Sequence, residues 1–212
     1  MDPSPGASFG ARVFPPELPA VVEASASDLY FYRAFIGRHA VQVERGDCAF
    51  LLSADEKTAE LRRGPATVDS RRFAVVVRGY MPDDRSCALV TGTHLPYING
   101  CSSRQVFPPE RPGDPTLQLL TVPPFCSEQA HHVHPTTRVV YVLRGRGRCV
   151  VGMPRRSVSE ELTAGTVVIL EKMCPHHFET DDEGLTVLPV HVFSSVPGTE
   201  TSHPMYAGTH RT

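Results

Sequence analysis

The chain has 212 residues and a formal net charge of -2, a length that suits one large β domain or a domain with a substantial extension. This charge offers no basic surface for nucleic acid or an anionic membrane, and no run of about eighteen apolar residues predicts a transmembrane helix. Twenty prolines and sixteen glycines favour a turn-rich, all-β protein with few short helices.

The six cysteines form no CxxC pair and no disulfide framework, so we interpret them as reduced thiols. The first residues lack the basic and apolar regions of a secretory leader. Together these features predict a cytoplasmic protein. Cys174 lies two residues before His176, and its favoured interpretation is a small apolar filler within a strand.

The N-terminal part is predicted to begin with an extended arm. Residues 1–26 are rich in Pro, Ala and Ser, and we expect them to pack on the outside of the protein. Ser27 and Asp28 are residue types that cap helices, and the apolar stretch after them predicts a short helix over residues 27–36.

Short apolar runs separated by turn residues predict strands from His39 to Tyr80. We therefore expect residues 27–95 to form a β-rich N-terminal lobe. It contains no His-x-His pair, so we expect it to hold no metal. Two arrangements are open for this lobe, a sheet extension of the following barrel or a degenerate second lobe of the same kind.

Residues 96–115 are irregular and rich in turn residues, which is typical of a long surface loop. Arg104, Glu110 and Arg111 of this segment are predicted either to close over a site or to form local ion pairs. The next strand is predicted from Leu117 to Val122.

Three histidines form the strongest functional pattern in the chain. His132 and His134 are two residues apart on a predicted strand, which places both rings on one face because strand side chains repeat with period two. His176 follows a second predicted hairpin and can complete a set of three neutral nitrogen ligands. Such a set binds divalent transition metals, so these three residues are predicted to be metal ligands.

The spacing of this pattern resembles the first motif of the cupin superfamily, a His-x-His pair followed by a Glu and a Gly. The matching positions here are His132, His134, Arg138 and Gly145, with every interval kept but an arginine in place of the usual Glu.

The second cupin motif contains a Gly, a Pro-x-Gly and a His. Gly165 and His176 match it, whereas Glu171 and Met173 replace the Pro and Gly. The resemblance implies a cupin-type jelly-roll β-barrel, which we place at residues 96–196. The remaining residues, 197–212, are then predicted to form a polar tail along the surface.

Counting parity from the first two histidines predicts that Thr136, Arg138, Val140 and Val142 face the barrel interior, with Tyr141 outside. A guanidinium cannot ligate a metal, because it stays protonated and has no lone pair to give. The predicted site is therefore electropositive and should attract a small anionic substrate, whose carboxylate the guanidinium can bind through two hydrogen bonds.

An internal salt bridge from Arg138 to Glu171 or Glu128 is the alternative, because either carboxylate would neutralise the guanidinium. The metal would lack its usual carboxylate ligand in both cases.

By resemblance to three-histidine cupins, the leading functional hypothesis is an Fe(II) oxygenase of the dioxygenase type that uses dioxygen. In it, Arg138 is the catalytic-site residue that anchors the substrate carboxylate. The second hypothesis is an isomerase or lyase that uses Zn, Ni or Mn, with Tyr141, His191 or Glu128 as general base. The third is a non-catalytic cupin that binds a metal or small ligand. The resemblance also implies a homodimer.

Overall fold

The structure is a computed structural model that describes residues 5–16, 18–24, 31–90, 94–111, 113–193 and 210–211. Regular structure in these ranges is almost entirely β-strand, with two short 3-10 helices at Pro5–Phe9 and Ile98–Gly100. The all-β prediction is confirmed. No helix among the described residues is long and apolar enough to cross a membrane.

Nine strands lie in the N-terminal half: β1 (Ala11–Phe14), β2 (Ala20–Glu23), β3 (Tyr32–Ile36), β4 (His39–Val43), β5 (Asp47–Leu52), β6 (Thr58–Arg63), β7 (Ala66–Ser70), β8 (Phe73–Arg78) and β9 (Arg85–Ala88). Six of them form an antiparallel sheet in the order β2-β3-β8-β5-β6-β9. The ribbon β4-β7 packs on one face of this sheet through a small apolar cluster that includes Val41, Val43 and Val76.

Ten strands follow: β10 (Leu95–Pro96), β11 (Ser102–Phe107), β12 (Thr116–Val122), β13 (His132–Val133), β14 (Arg138–Met153), β15 (Arg156–Thr163), β16 (Val167–Leu170), β17 (His176–Glu179), β18 (Leu185–His191) and β19 (His210–Arg211). They join β1 in an eleven-stranded sheet whose main path is β10-β11-β12-β18-β14-β17-β13-β19. β1, β15 and β16 attach beside this path.

The long strand β14 organises the jelly roll. Its first half, from Arg138 to Gly145, pairs with β16 and β18, and its second half pairs with β15 and β17. One strand thereby takes part in both sides of the roll. We call the apolar side chains between these two sides the barrel interior. Its members on β12, β14, β16 and β18 include Leu120, Val122, Val140, Val142, Val168, Leu185 and Val187.

The opposite face of the same strands is covered by the N-terminal sheet. Val139, Tyr141 and Leu143 belong to the apolar cluster that joins the two halves of the chain. The Tyr141 ring lies 5.4 Å from that of Phe73, and its hydroxyl donates to Glu56 Oε1 at 3.0 Å. The predicted parity of β14 is confirmed, and a homodimer would have to use a surface other than this covered face.

One prediction for the N-terminal segment was wrong. Tyr32–Ile36 is a strand and not the end of a helix, while residues 27–30 of that predicted helix lie outside the described residues. A short apolar run does not distinguish a buried strand from a buried helix by its periodicity. The predicted arm contributes β1, which pairs with β16 of the barrel, and β2, which pairs with β3 of the lobe.

The segment predicted as an irregular loop, residues 96–115, contains the end of β10 and the whole of β11. Arg111 forms a local ion pair with Asp114, as the second interpretation expected, whereas Glu110 pairs with the distant Arg85 and Arg104 donates to the carbonyl of Ala88. These contacts give no support to the prediction that the three residues close over a site.

The predicted surface tail at residues 197–212 lies outside the described residues except for β19, which pairs with β13. The division of the chain into an arm, a lobe over 27–95, a barrel over 96–196 and a tail stays a prediction.

The turn at Gly145 gives a first testable expectation. Gly145 has φ +84°, and an added Cβ would lie 1.8 Å from the Gly184 carbonyl oxygen. Gly145→Ala should lower the free energy of unfolding by about 3 kcal/mol or more, measured by denaturant titration. Gly46→Ala is the matched control, because Gly46 also has a positive φ but no atom within 4 Å of an added Cβ, and should cost about 1 kcal/mol. Equal losses would show that the contact with Gly184 is unimportant.

Candidate metal centre

The two neighbouring strands β13 and β17 bring the three predicted histidines together. His132 and His176 are paired residues across these strands, and His134 follows at the end of β13. The three rings are buried, and one nitrogen from each lies within 4.8 Å of the others. Among the described residues this is the one group of three His, Cys, Asp or Glu side chains whose atoms converge closely enough to hold an ion.

Backbone carbonyls orient two of the rings. His132 Nδ1 donates to the Ala130 carbonyl oxygen at 2.9 Å, and His176 Nδ1 donates to the Cys174 carbonyl oxygen at 2.8 Å. Since each Nδ1 carries the proton, each Nε2 presents its lone pair to the centre. Hydrogen bonds of this kind fix both the tautomer and the direction of a metal-binding imidazole.

Burial keeps the three rings neutral. It lowers the pKa of His132 to about 4 and the pKa values of His134 and His176 well below the usual range, and the charge of Arg138 acts in the same direction. Neutral imidazoles can bind a cation at pH 7 without first losing protons.

The spacing of the nitrogens fits a divalent ion. His132 Nε2 and His134 Nε2 are 3.1 Å apart. Two nitrogens bound at right angles about 2.1 Å from one ion would be about 3.0 Å apart. Without a cation or proton between them, two lone pairs at this distance repel each other. The donor set therefore suits a transition metal such as iron, zinc, nickel or manganese.

Arg138 lies beside this centre and is 3% exposed. Its Nη1 donates to Thr136 Oγ1, whereas its Nε has no hydrogen-bond partner. Among the described residues, no carboxylate lies within ion-pair distance of the guanidinium. Burial lowers the pKa of Arg138 to about 9, so the group still carries its charge at neutral pH.

The alternative prediction, a salt bridge from Arg138 to Glu171 or Glu128, is wrong. Glu171 is half-exposed and pairs with Arg12 at 3.4 Å. Glu128 faces the histidines instead, with Oε1 3.9 Å from His132 Nε2.

Glu128 is buried beside the ligand set. Its Oε2 accepts a hydrogen bond from the Phe178 amide, and its Oε1 accepts one from Gln129 Nε2, each at 3.2 Å. Burial raises the pKa of Glu128 to about 7, and these two hydrogen bonds act against that rise. The carboxyl is therefore divided between its protonated and ionised forms at neutral pH.

The other predicted candidates fall in different places. His191 is buried near Arg138, whose charge adds to burial in lowering the pKa of His191. Tyr141 faces the N-terminal lobe, so the prediction that it serves as a base near the metal was wrong.

Cys174 packs in the barrel interior, where burial raises its pKa to about 12, as expected of a filler. His131 and His177 hydrogen-bond to each other at 2.9 Å and are not among the converging nitrogens.

The sequence did not point to Gln129. Its Nε2 donates to His132 Nε2 at 2.7 Å, and its Oε1 accepts from the Tyr97 hydroxyl at 2.7 Å. A bound ion would have to displace this amide from the His132 lone pair. No sequence signal marks the residue, because its position depends on the course of the loop before β13.

Comparison with protein families places the centre in a known fold. Residues 118–193, which contain all three histidines and Arg138, match the family model of the cupin domain. This segment is a cupin domain. No curated protein matches the chain.

Solved structures extend the likeness beyond the cupin domain. A protein from Pseudomonas aeruginosa described as glyoxylate induced has 14% identity and a TM-score of 0.55, covering 92% of this chain and 84% of its own. Ylba from E. coli has 12% identity and a TM-score of 0.54, covering 87% and 92%. An oxalate decarboxylase from Bacillus subtilis has 12% identity and a TM-score of 0.51, covering 84% and 76%. These likenesses concern the fold alone.

Proposed function

We propose that this cupin is a mononuclear metal-dependent enzyme, an Fe(II) oxygenase of the dioxygenase type that acts on a small carboxylate-bearing substrate. The observation that carries the proposal is the buried, charged Arg138 beside three neutral imidazoles, without any carboxylate partner among the described residues. A buried cation of this kind is costly unless an anion compensates it. The substrate carboxylate is the compensating anion.

In this proposal His132, His134 and His176 hold the ion, and Arg138 fixes the substrate carboxylate through two parallel hydrogen bonds. When held there, Fe(II) would supply the redox chemistry that activates dioxygen, with the substrate as the final source of electrons. Thr136 accepts a hydrogen bond from the guanidinium and thereby limits the directions in which it can point. The buried surroundings exclude water and strengthen the attraction between the guanidinium and the carboxylate.

Glu128 supports a second candidate function, a non-redox isomerase or lyase that uses Zn, Ni or Mn. A buried carboxyl beside the ion suits a general base, because the charge of the ion would favour its ionised form. The Oε1 of Glu128, one of the three bases predicted from the sequence, lies 3.9 Å from His132 Nε2. The two functions differ in their need for oxygen.

The deciding experiment is metal analysis by plasma mass spectrometry on protein purified under nitrogen without chelator, followed by EPR of the Fe(II)-nitrosyl form. We expect near-stoichiometric iron whose spectrum changes when oxalate, glyoxylate or another small carboxylate is added. Tightly bound zinc, with turnover that persists without oxygen, would favour the isomerase or lyase. Absence of any bound metal would contradict both functions.

The role of Arg138 has its own test. Arg138→Gln removes the charge but keeps a hydrogen-bonding side chain, so it should leave the iron content unchanged while the carboxylate concentration needed for the spectral change rises at least about tenfold. Arg148→Gln is the control, because Arg148 lies on the same strand but pairs with Glu179 and Asp181. An unchanged carboxylate response in Arg138→Gln would show that the guanidinium does not bind the substrate.

A further inference from the structure

A row of polar side chains crosses the barrel interior beside Arg138. Thr116 of β12 pairs with His191 of β18, and His191 pairs with Arg138 of β14. The three residues thus lie side by side on adjacent antiparallel strands, where opposite Cβ atoms are about 5 Å apart. All three are buried, with Thr116 only 1% exposed.

Strand alternation points this row, together with Gln118, into the barrel interior. On β12, Leu120 and Val122 belong to the interior cluster, so Thr116 and Gln118 share their face by the period of two. The register of β12 on β18 contains no bulge between Thr116 and Val122, so the parity holds along the whole strand. Gln118 is 2% exposed and lies one interior position along from Thr116.

The row contains buried polar atoms whose hydrogen-bonding capacity is unused by the described residues. Thr116 Oγ1 and Gln118 Oε1 have no hydrogen-bond partner, and neither has Arg138 Nε. A buried polar atom without a partner costs about 1–3 kcal/mol, so three of them on the same face of neighbouring strands are unusual in a packed core. They combine one donor, one acceptor and one hydroxyl that can serve as either.

Resting on the proposed function, we infer that the substrate is a small hydroxycarboxylate. Arg138 binds its carboxylate, while a hydroxyl group on the same small molecule donates a hydrogen bond to Gln118 Oε1 and accepts one from the Thr116 hydroxyl. A carbonyl oxygen of an amide accepts and cannot donate, so the group that meets Gln118 must be a donor. A neutral hydroxyl suits this place better than an ammonium, because Arg138 and a metal dication both repel a further positive charge.

The test compares matched ligands that differ in one group. Lactate, propionate and alanine share a three-carbon carboxylate but carry a hydroxyl, a hydrogen or an ammonium on the adjacent carbon. Isothermal titration calorimetry under nitrogen on the purified, metal-containing protein should give a Kd for lactate about tenfold lower than for propionate. Alanine should bind more weakly than lactate. Malate and succinate repeat the comparison on a longer skeleton.

Two variants locate the source of the preference. Gln118→Leu and the near-isosteric Thr116→Val should each reduce the preference for lactate to about threefold or less, with the Kd for propionate within about twofold of wild type. Thr121→Val is the control, because Thr121 lies on the same strand with the opposite parity, and it should keep the full preference. A preference that survives in both Gln118→Leu and Thr116→Val would mean that the metal alone selects the hydroxyl, and this would overturn the inference.

The outcomes separate this inference from the proposed function. Equal affinities of wild type for lactate and propionate, with both weakened in Arg138→Gln, would overturn the hydroxycarboxylate inference and leave the carboxylate site intact. Failure of every carboxylate to bind, or binding unaffected by Arg138→Gln, would overturn the proposed substrate class and the inference together.

Discussion

Alanine in place of His176 is expected to abolish stoichiometric metal binding. The substitution removes one of three converging nitrogens, and the remaining pair of His132 and His134 presents too few ligands for a stable protein site. We expect the affinity to fall by at least about a hundredfold, since loss of a supporting group around a ligand already costs ten- to a hundredfold. Plasma mass spectrometry after dialysis measures the metal that stays bound.

His177→Ala is the matched control for this prediction. His177 is adjacent to His176 on β17 but hydrogen-bonds to His131, so its loss should leave the metal content near that of wild type. Thermal melting of both variants in the metal-free state checks that each one folds. Stoichiometric metal in a folded His176→Ala protein would contradict the assignment of the three ligands.

The position of the three histidines could be predicted from short-range rules and the cupin resemblance. The period of two places His132 and His134 on one face, and the following turns return His176 on the neighbouring strand. The same parity placed Arg138 inside the barrel and Tyr141 outside it. The parity predictions depend on alternation along the segment from His132 to Val142, whereas the placement of His176 beside His132 depends on the pairing of β13 with β17, which the cupin resemblance implied.

Other features depend on contacts between segments far apart in the chain. The strand at Tyr32–Ile36 is stabilised by pairing with β8 and by burial against the barrel. Neither contact leaves a pattern in the local sequence that would distinguish this strand from a helix. The row of Thr116, His191 and Arg138 requires the register of three strands that are separated in sequence. The sequence did offer one signal for this row. Positions 116 and 118 are polar although they lie on the same strand face as Leu120 and Val122.

Replacing Arg138 with methionine is expected to stabilise the metal-free protein. The guanidinium is buried without an anionic partner among the described residues. No ion pair therefore offsets the free-energy cost of transferring its charge from water. A side chain of similar length without charge should raise the free energy of unfolding by about 1–4 kcal/mol, the range found when buried charges are replaced by apolar groups. Denaturant titration of metal-free protein at pH 7 measures the difference.

The pH dependence of this difference has a definite sign. Burial lowers the pKa of Arg138 from 12.5 to about 9, so the folded state binds its proton less tightly than the unfolded state does. The penalty is therefore fully present below pH 9 and is relieved as the pH rises from about 9 towards 12.5. The advantage of Arg138→Met over wild type should accordingly be constant from pH 6 to 8 and shrink above pH 9.

An anion should remove the same penalty at neutral pH, which connects the stability of the fold to the substrate. A small carboxylate that binds Arg138 should raise the melting temperature of wild type with the logarithm of its concentration once this exceeds the Kd, and it should leave Arg138→Met unchanged. Arg148→Met controls for loss of a surface charge: Arg148 pairs with two carboxylates, so its replacement should destabilise slightly and keep the carboxylate response. If Arg138→Met instead lowered stability by several kcal/mol without added anion, the guanidinium would be a structural element of the barrel, and its role in holding a substrate would have to be abandoned.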